Sequence, residues 1–199
     1  RERQVPVLAA LTVDRQLPWQ MRGSLSYVGR AASNLERARN INQLQPGTIQ
    51  ANPGVNANAL RPYLGFGSIT LYETTGESKY NSLQAQVERR ATRGIGYSLS
   101  YTFSRTRDDS SGRGDILPNA YSDAGYYGIS DLDRPHVLVS QVRYRFPTLD
   151  SRPAAMRWVL GHWDVTGVFQ AQSGAPFSVR TAVDVAGVGP GSGNQFYEL

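Results

Sequence analysis

The side chains that could do chemistry are few, and their spacing suits none of the usual reactions. The histidines are His136 and His162, there is no cysteine, and neither histidine sits in an HExxH frame. A zinc hydrolase needs two such ligands one helical turn apart, with a glutamate between them. His136 follows Arg134-Pro135 and reads as a rim residue rather than a base. Ser173 lies in QSGAP, without the GxSxG frame that lifts a nucleophile onto a sharp turn. The run GVGPGSG over 187–193 has the glycines of a phosphate loop but not its Lys-Ser/Thr ending, so it reads as a flexible loop. The expectation is a chain with no catalytic residue and no cofactor.

Two groups are candidates for binding rather than catalysis. Asp108, Asp109, Asp115, Asp123, Asp131 and Asp133 crowd one polar stretch. Hard cations such as Ca²⁺ take several oxygen ligands, and Asp131, Asp133 and Asp123 could supply some. Their spacing is not that of an EF-hand, and aspartate is ordinary in turns, so no metal site is assigned. Tyr63, Phe66, Tyr72, Tyr121, Tyr126 and Tyr127 fall in the same kind of stretch. Tyrosine offers contact area and a hydroxyl at small entropic cost, which suits a ligand surface. These six are the candidate ligand-binding residues, with loop packing as the plain alternative.

The elements that must carry these loops are strands. In 95–106 Tyr97, Leu99, Tyr101 and Phe103 fall on one face and Ser98, Ser100, Thr102 and Ser104 on the other. In 80–90 Leu83, Ala85 and Val87 alternate with Ser82, Gln84, Gln86 and Glu88. The short, glycine-ended Ala91-Thr92-Arg93-Gly94 joins the two arms as a hairpin. The same alternation predicts strands near 5–14, 20–30, 136–146 and 162–172. Pro18 in the RQLPW connection bars continuation of a ladder there. The segments 31–79 and 108–134 read as long loops, with 65–73 as an extended piece inside the first.

Composition narrows the class. The chain has 199 residues, 40% hydrophobic, with mean hydropathy −0.42 and no run approaching a membrane helix, which needs about 20 apolar residues. That leaves membrane barrels open, because their strands carry a weak hydropathy signal. The net charge is +5, yet lysine occurs once, at Lys79, and the arginines are scattered among acids. A nucleic-acid binder would show a basic stripe, so none is expected. The chain opens on Arg1, without an initiator Met or a signal-peptide pattern, and ends at Leu199 in a glycine-rich run. Both ends read as cuts, so the expectation is a fragment, 1–199, of one domain.

Short turns on one rim and long loops on the other is the asymmetry of an outer-membrane barrel, with short periplasmic turns and long extracellular loops. RQLPW, ATRG and 147–161 fall on the short rim; 31–79 and 108–134 fall on the long one. Polar faces of Ser, Thr, Gln, Glu and Arg suit a wet lumen, and apolar faces suit lipid. Backbone groups in lipid are satisfied only by a closed sheet. Six strands are fewer than the roughly eight of the smallest such barrels. The fold class is therefore all-β, an antiparallel meander forming a partial transmembrane β-barrel. Periodicity alone equally allows a soluble β-sandwich that binds carbohydrate or protein.

Five stretches break that tie. LPWQMRGSLSYVGR, RNINQLQPG, RPYLGFGSITLYETTGESKYNSLQAQVERRATRGIGYSLSYTFSRTRDD, DLDRPHVLVSQVRYRFP and WDVTGVFQAQSGAPFSV occur in this order across most of residues 8–180. Together they resemble the C-terminal half of the barrel in TonB-dependent receptors of the Oar-like kind. In that family a carboxypeptidase-regulatory-like domain and a plug precede the barrel. The resemblance implies location in the outer membrane of a Gram-negative-type bacterium and energised uptake of a ligand. The implied partners are outer-membrane lipid, the plug and remaining strands of the same protein, and an inner-membrane energy-transducing complex. A surface adhesin on the same barrel is a further reading.

Overall fold

A computed structural model describes residues 5–92, 94–112, 114–148, 153–161, 163–181, 183–189 and 195–196. Seven strands make one antiparallel sheet: β1 Val5–Leu17, β2 Met21–Asn40, β3 Thr70–Thr92, β4 Ile95–Asp108, β5 Gly128–Ile129, β6 His136–Arg145 and β7 Asp164–Gln172. Neighbours in sequence are neighbours in the sheet, in the order β1-β2-β3-β4-β6-β7, with the short β5 on the end of β4. β1 and β7 are its two edges, so the sheet is open, a partial barrel. A separate ribbon pairs β8 Arg180–Thr181 with β9 Gln195–Phe196. Among the described residues helix is confined to α1 Thr48–Ala51, α2 Ala154–Leu160 and a 3₁₀ turn at Ala57–Leu60.

The connections sort by rim. β1 and β2 turn over Trp19 and Gln20, at φ 58° and 60°, and Met21 N–H donates to Pro18 O at 3.4 Å. Two positive φ values make a type I′ turn, whose twist matches that of the strands it joins. β3 and β4 turn at Gly94, φ 91°, where a Cβ would stand 2.6 Å from the Arg145 carbonyl oxygen. The 146–163 connection, which carries α2, lies on the same rim: Arg145 N–H donates to Gly94 O at 2.7 Å. The opposite rim carries 41–69 and 109–135.

Four segments read from sequence need correction. The loop 31–79 is only 41–69, because β2 runs on to Asn40 and β3 starts at Thr70. The piece 65–73 is thus not all loop: Thr70 to Glu73 pair with Asn40 to Arg37. This stem rises beyond the apolar band, where neither face must be greasy, so it shows no alternation. Ion pairs between its strands hold it instead. The loop 108–134 likewise begins one residue later and contains β5. β1 also continues to Leu17, through residues expected to turn. The remaining strand ends differ from the pattern by no more than two residues.

The registers place the faces. One row across the sheet reads Leu11, Tyr27, Leu83, Phe103, His136; the next reads Val13, Leu25, Ala85, Tyr101, Leu138. These apolar side chains are the exposed ones: Leu99 is 42% and Phe103 44% accessible, while Ser82 and Ser104 on the opposite face are buried. The polar side is thus the more covered one, the reverse of a soluble sandwich, whose apolar faces pack on each other. On β4 the band spans Ile95 to Phe103, nine residues, matching the roughly 9–11 that a tilted membrane strand needs. Among the described residues the buried apolar side chains are Ala38, Leu44, Leu117 and Val188, all on the long-loop side.

Candidate functional site

The long-loop side is where the chain builds something beyond a wall. At Ala32–Leu35–Glu36 the β2–β3 register shifts, with Asn34 at φ 57°. The bulge lies where β1 reaches its last pair, Val5↔Ser33. Past it the β2 edge is taken by the loop from β4: Ala38 bridges Ile116 in parallel, and Leu117 N–H donates to Ala38 O at 3.1 Å. The loop then returns, and β5 rejoins β4 through Ile129↔Arg107. Residues 109–129 therefore strap the stem and cover an edge that would otherwise offer unpaired backbone groups.

Charge fastens the strap. Arg37, 3% exposed, ion-pairs with Glu73 at 3.1 Å, Asp109 at 2.9 Å and Asp123 at 2.9 Å. Arg39 pairs with Glu73 at 2.8 Å and Asp123 at 2.5 Å, and donates to Ala120 O at 2.6 Å. Two guanidiniums thus face three carboxylates, the compensation a buried charge requires. The Arg39 hydrogen bond holds the Glu73 carboxyl below its usual range, against the opposing effect of burial. Burial pushes Asp123 up, but the Arg39 hydrogen bond and the charges of Arg37 and Arg39 outweigh it and leave it lowered. The Glu73 hydrogen bond raises Arg39 in turn.

A second knot is neutral. Asn42, fully buried, donates from Nδ2 to the carbonyls of Tyr63 at 3.0 Å, Phe66 at 3.2 Å and Gly67 at 2.7 Å, and its Oδ1 accepts from Tyr63 N–H at 2.8 Å. Asn40 Oδ1 accepts from the amides of Asn42 and Ile69. Gln43 clasps the strap, donating to Pro118 O at 2.7 Å and accepting from Ala120 N–H at 2.5 Å. Arg61 donates to Asn42 O at 2.7 Å. Residues 183–189 dock on the same loop: Gly47 and Ile49 donate to Ala186 and Gly187 carbonyls, and Asp184 accepts from the amides of Val188 and Gly189. Leu44, Leu117 and Val188 form the small apolar centre of this cap.

The six aromatic candidates all lie on this side of the molecule. Tyr63 and Phe66 are exposed at positions whose backbone Asn42 holds, with Phe66 65% accessible. Tyr121 is exposed too, and its hydroxyl donates to Gln43 O at 2.5 Å. Asn42 and Gln43, adjacent in sequence, therefore gather these three. Tyr72 is exposed on β3, across from Ala38. Tyr126 is half-buried, and Tyr127, just before β5, is exposed. Burial raises the Tyr127 phenol, with Arg107, Glu77, Asp108 and Asp109 near enough to act on it.

Asp109 and Asp123 share Arg37, and the other aspartates are spent elsewhere. Asp123 serves the two arginines, Asp133 accepts from Thr106 N–H and pairs with Arg105 at 3.2 Å, and Asp108 accepts from Ser130 and Ser111 hydroxyls. Asp131 is exposed. Among the described residues no three potential metal ligands converge. His136 stands on the lipid-facing side of β6, its Nδ1 2.7 Å from the Tyr101 hydroxyl, with the two rings stacked. Ser173 Oγ accepts from His136 N–H at 3.2 Å. His162 and residues 190–193 of the glycine run lie outside the described residues. Arg37, Arg39, Asn40, Asn42 and Gln43 were not singled out from sequence. The signal was their concentration at the end of a strand, in RARNINQ.

At the other rim the polar face ends in charge. Asp14 and Arg22 pair at 3.3 Å, and with Glu88 and Arg90 they line an open hollow of about 580 Å³ at the foot of β1, β2 and β3.

A family model described as an outer membrane beta barrel domain matches residues 9–197. Neither the curated proteins nor the solved structures contain a match.

Proposed function

Because this chain belongs to the outer membrane beta barrel domain family, we propose that it supplies wall and outer loops to a TonB-dependent outer-membrane transporter. The protein resides in the outer membrane of a Gram-negative bacterium. The observation that carries the transport reading is the two-sided wall: lipid-ready residues outside, and inside a polar surface with a charged foot at Asp14, Arg22, Glu88 and Arg90. A pore lining that ends in paired charges suits a polar plug held by reversible contacts, since exposed ion pairs are individually weak. The five stretches resembling Oar-like receptors support the same reading.

In this reading further strands of the same protein continue the sheet from the edges at β1 and β7. A plug domain fills the lumen, and an inner-membrane energy-transducing complex pulls on it. The strapped cap collects the ligand, with Tyr63, Phe66 and Tyr121 presented by Asn42 and Gln43, and Tyr72, Tyr126 and Tyr127 beside them. The wall performs no chemistry of its own.

The test is uptake by cells carrying the full-length protein. A ligand whose accumulation needs this protein should stop entering when a protonophore collapses the inner-membrane gradient, or when the energy transducer is deleted. Entry that persists under both treatments overturns the transporter reading and leaves a passive pore.

A further inference from the structure

The lipid-facing side carries a cationic step immediately above its apolar band, and among the described residues the loops engage only Arg105 of it, through Asp133. The band ends at the row of Leu11, Tyr27, Leu83 and Phe103. The Tyr27 hydroxyl leaves it upward and donates to Asn81 Oδ1 at 2.9 Å, as an amphipathic ring does at a membrane interface. The next pair on this face is Asn81↔Arg105, and the one above is Lys79↔Arg107. Two residues of strand rise about 7 Å, so both pairs stand at headgroup height on the outer side.

Lys79 and Arg107 are directly opposed, and like charges so placed repel. Both are exposed, and among the described residues neither makes an ion pair. Arg105, below Arg107, is tied to the buried Asp133 through one nitrogen at 3.2 Å and is otherwise open. The flanking positions on this face are small, Ala31 beside Lys79 and Gly29 beside Asn81, which leaves room over the sheet. Glu77, two residues before Lys79, is exposed, and among the described residues neither it nor Asp131 makes an ion pair with these cations. Lys79 is the sole lysine of the chain.

From this placement we infer that Lys79, Arg105 and Arg107 form a binding site for the phosphate of a phosphorylated glycolipid in the outer leaflet. The acyl chains lie down the band of Tyr27, Leu83 and Phe103, and the phosphate bridges the opposed cations and removes their repulsion. Arginine offers a planar fork to phosphate and lysine a point charge, the usual pair for such a group. The inference rests on the outward apolar face alone and is independent of transport.

The experiment uses the full-length protein purified in detergent, with diphosphorylated lipid A in mixed micelles as the probe and thermal shift and native mass spectrometry as readouts. Lys79→Gln/Arg107→Gln should weaken lipid A binding by about tenfold or more, the value of a single charge-assisted contact. Removing the phosphates from the lipid should weaken the wild type equally. Arg30→Gln, at the same height on the lumenal face, should bind as the wild type does. Lys79→Arg, which keeps the charge, should retain binding and serves as the second variant if the double one folds poorly by heat-modifiable migration. Undiminished binding by the double variant, equal affinity for dephosphorylated lipid, or binding of inorganic phosphate with none of lipid A would each overturn the site.

Discussion

Arg37 Nη1 donates to Asp109 Oδ2 at 2.9 Å, joining residues 72 apart in sequence across the outer stem. Among the described residues Arg37 is the one cation shared by Glu73, Asp109 and Asp123, and it is almost wholly buried. Removing it leaves three carboxylates with only Arg39 between them. Arg37→Met keeps the length of the side chain and should cost about 3–5 kcal/mol, felt in the strap rather than in the barrel. Native-state hydrogen exchange reads this directly. The Leu117 amide, bonded to Ala38 O, should lose protection, while amides of the β4–β6 ladder keep theirs. Unchanged protection at Leu117 would show that the strap does not depend on this cation.

The same cluster makes the strap sensitive to acid. Glu73 and Asp123 both have carboxyls held below their ordinary values by the arginines. An opened strap therefore binds more protons than a closed one in acid, and closure gains from rising pH. The gain is complete above the ordinary carboxylate range and is lost as pH falls through the lowered values, below about pH 4. Limited proteolysis of 109–127 should be slow at pH 7 and at pH 5, and fast at pH 3. Arg39, raised in its turn, stays charged throughout and adds no second transition. A strap that opens on going from pH 5 to pH 7 would have the wrong sign for this cluster.

Asn42 makes a sharper test, because its amide does what no carboxylate can. Its Nδ2 donates to three backbone carbonyls while its Oδ1 accepts from Tyr63 N–H. Asn42→Asp keeps the shape and sets a buried acceptor against those carbonyls. It should destabilise the 41–69 loop by more than Asn42→Ala, which itself leaves buried groups unsatisfied at about 1–3 kcal/mol. The readout is exchange of the Tyr63 and Ile69 amides, together with ligand affinity if Tyr63 and Phe66 bind. Equal effects of Asp and Ala would mean that water enters the knot and replaces the amide.

The wall was legible in sequence, and the cap was not. The period of two in Tyr97, Leu99, Tyr101 and Phe103 survives because lipid demands it, so those strands could be read residue by residue. Beyond the band no face must be apolar, and Arg37, Arg39 and Glu73 hold the stem by charges between residues 34–36 apart, which local pattern cannot show. The β1–β2 connection was legible at RQLPW, but the residues that make its turn were not, for another reason. A type I′ turn is announced by Asn-Gly, and here Trp19 and Gln20 adopt the positive φ values instead. Asn42 and Gln43 looked like loop polarity; only their contacts with Tyr63, Phe66 and Tyr121 reveal what they position.

The sidedness of the wall is open to a paired substitution on β4. Leu99 and Ser100 are adjacent, on opposite faces, in the middle of the band. If Leu99 meets acyl chains, Leu99→Arg puts a guanidinium near mid-bilayer and should cost about 2–4 kcal/mol. Ser100→Arg puts the same group against the polar face, beside Gln86, where water or a polar plug receives it at little cost. Denaturant titration of the full-length protein folding into vesicles, followed by heat-modifiable migration, measures both. A sheet with its polar side toward lipid would reverse the order. Equal penalties would mean that both faces are packed in protein, and the lipid-facing assignment of Tyr97, Tyr101 and Phe103 would fall with that of Leu99.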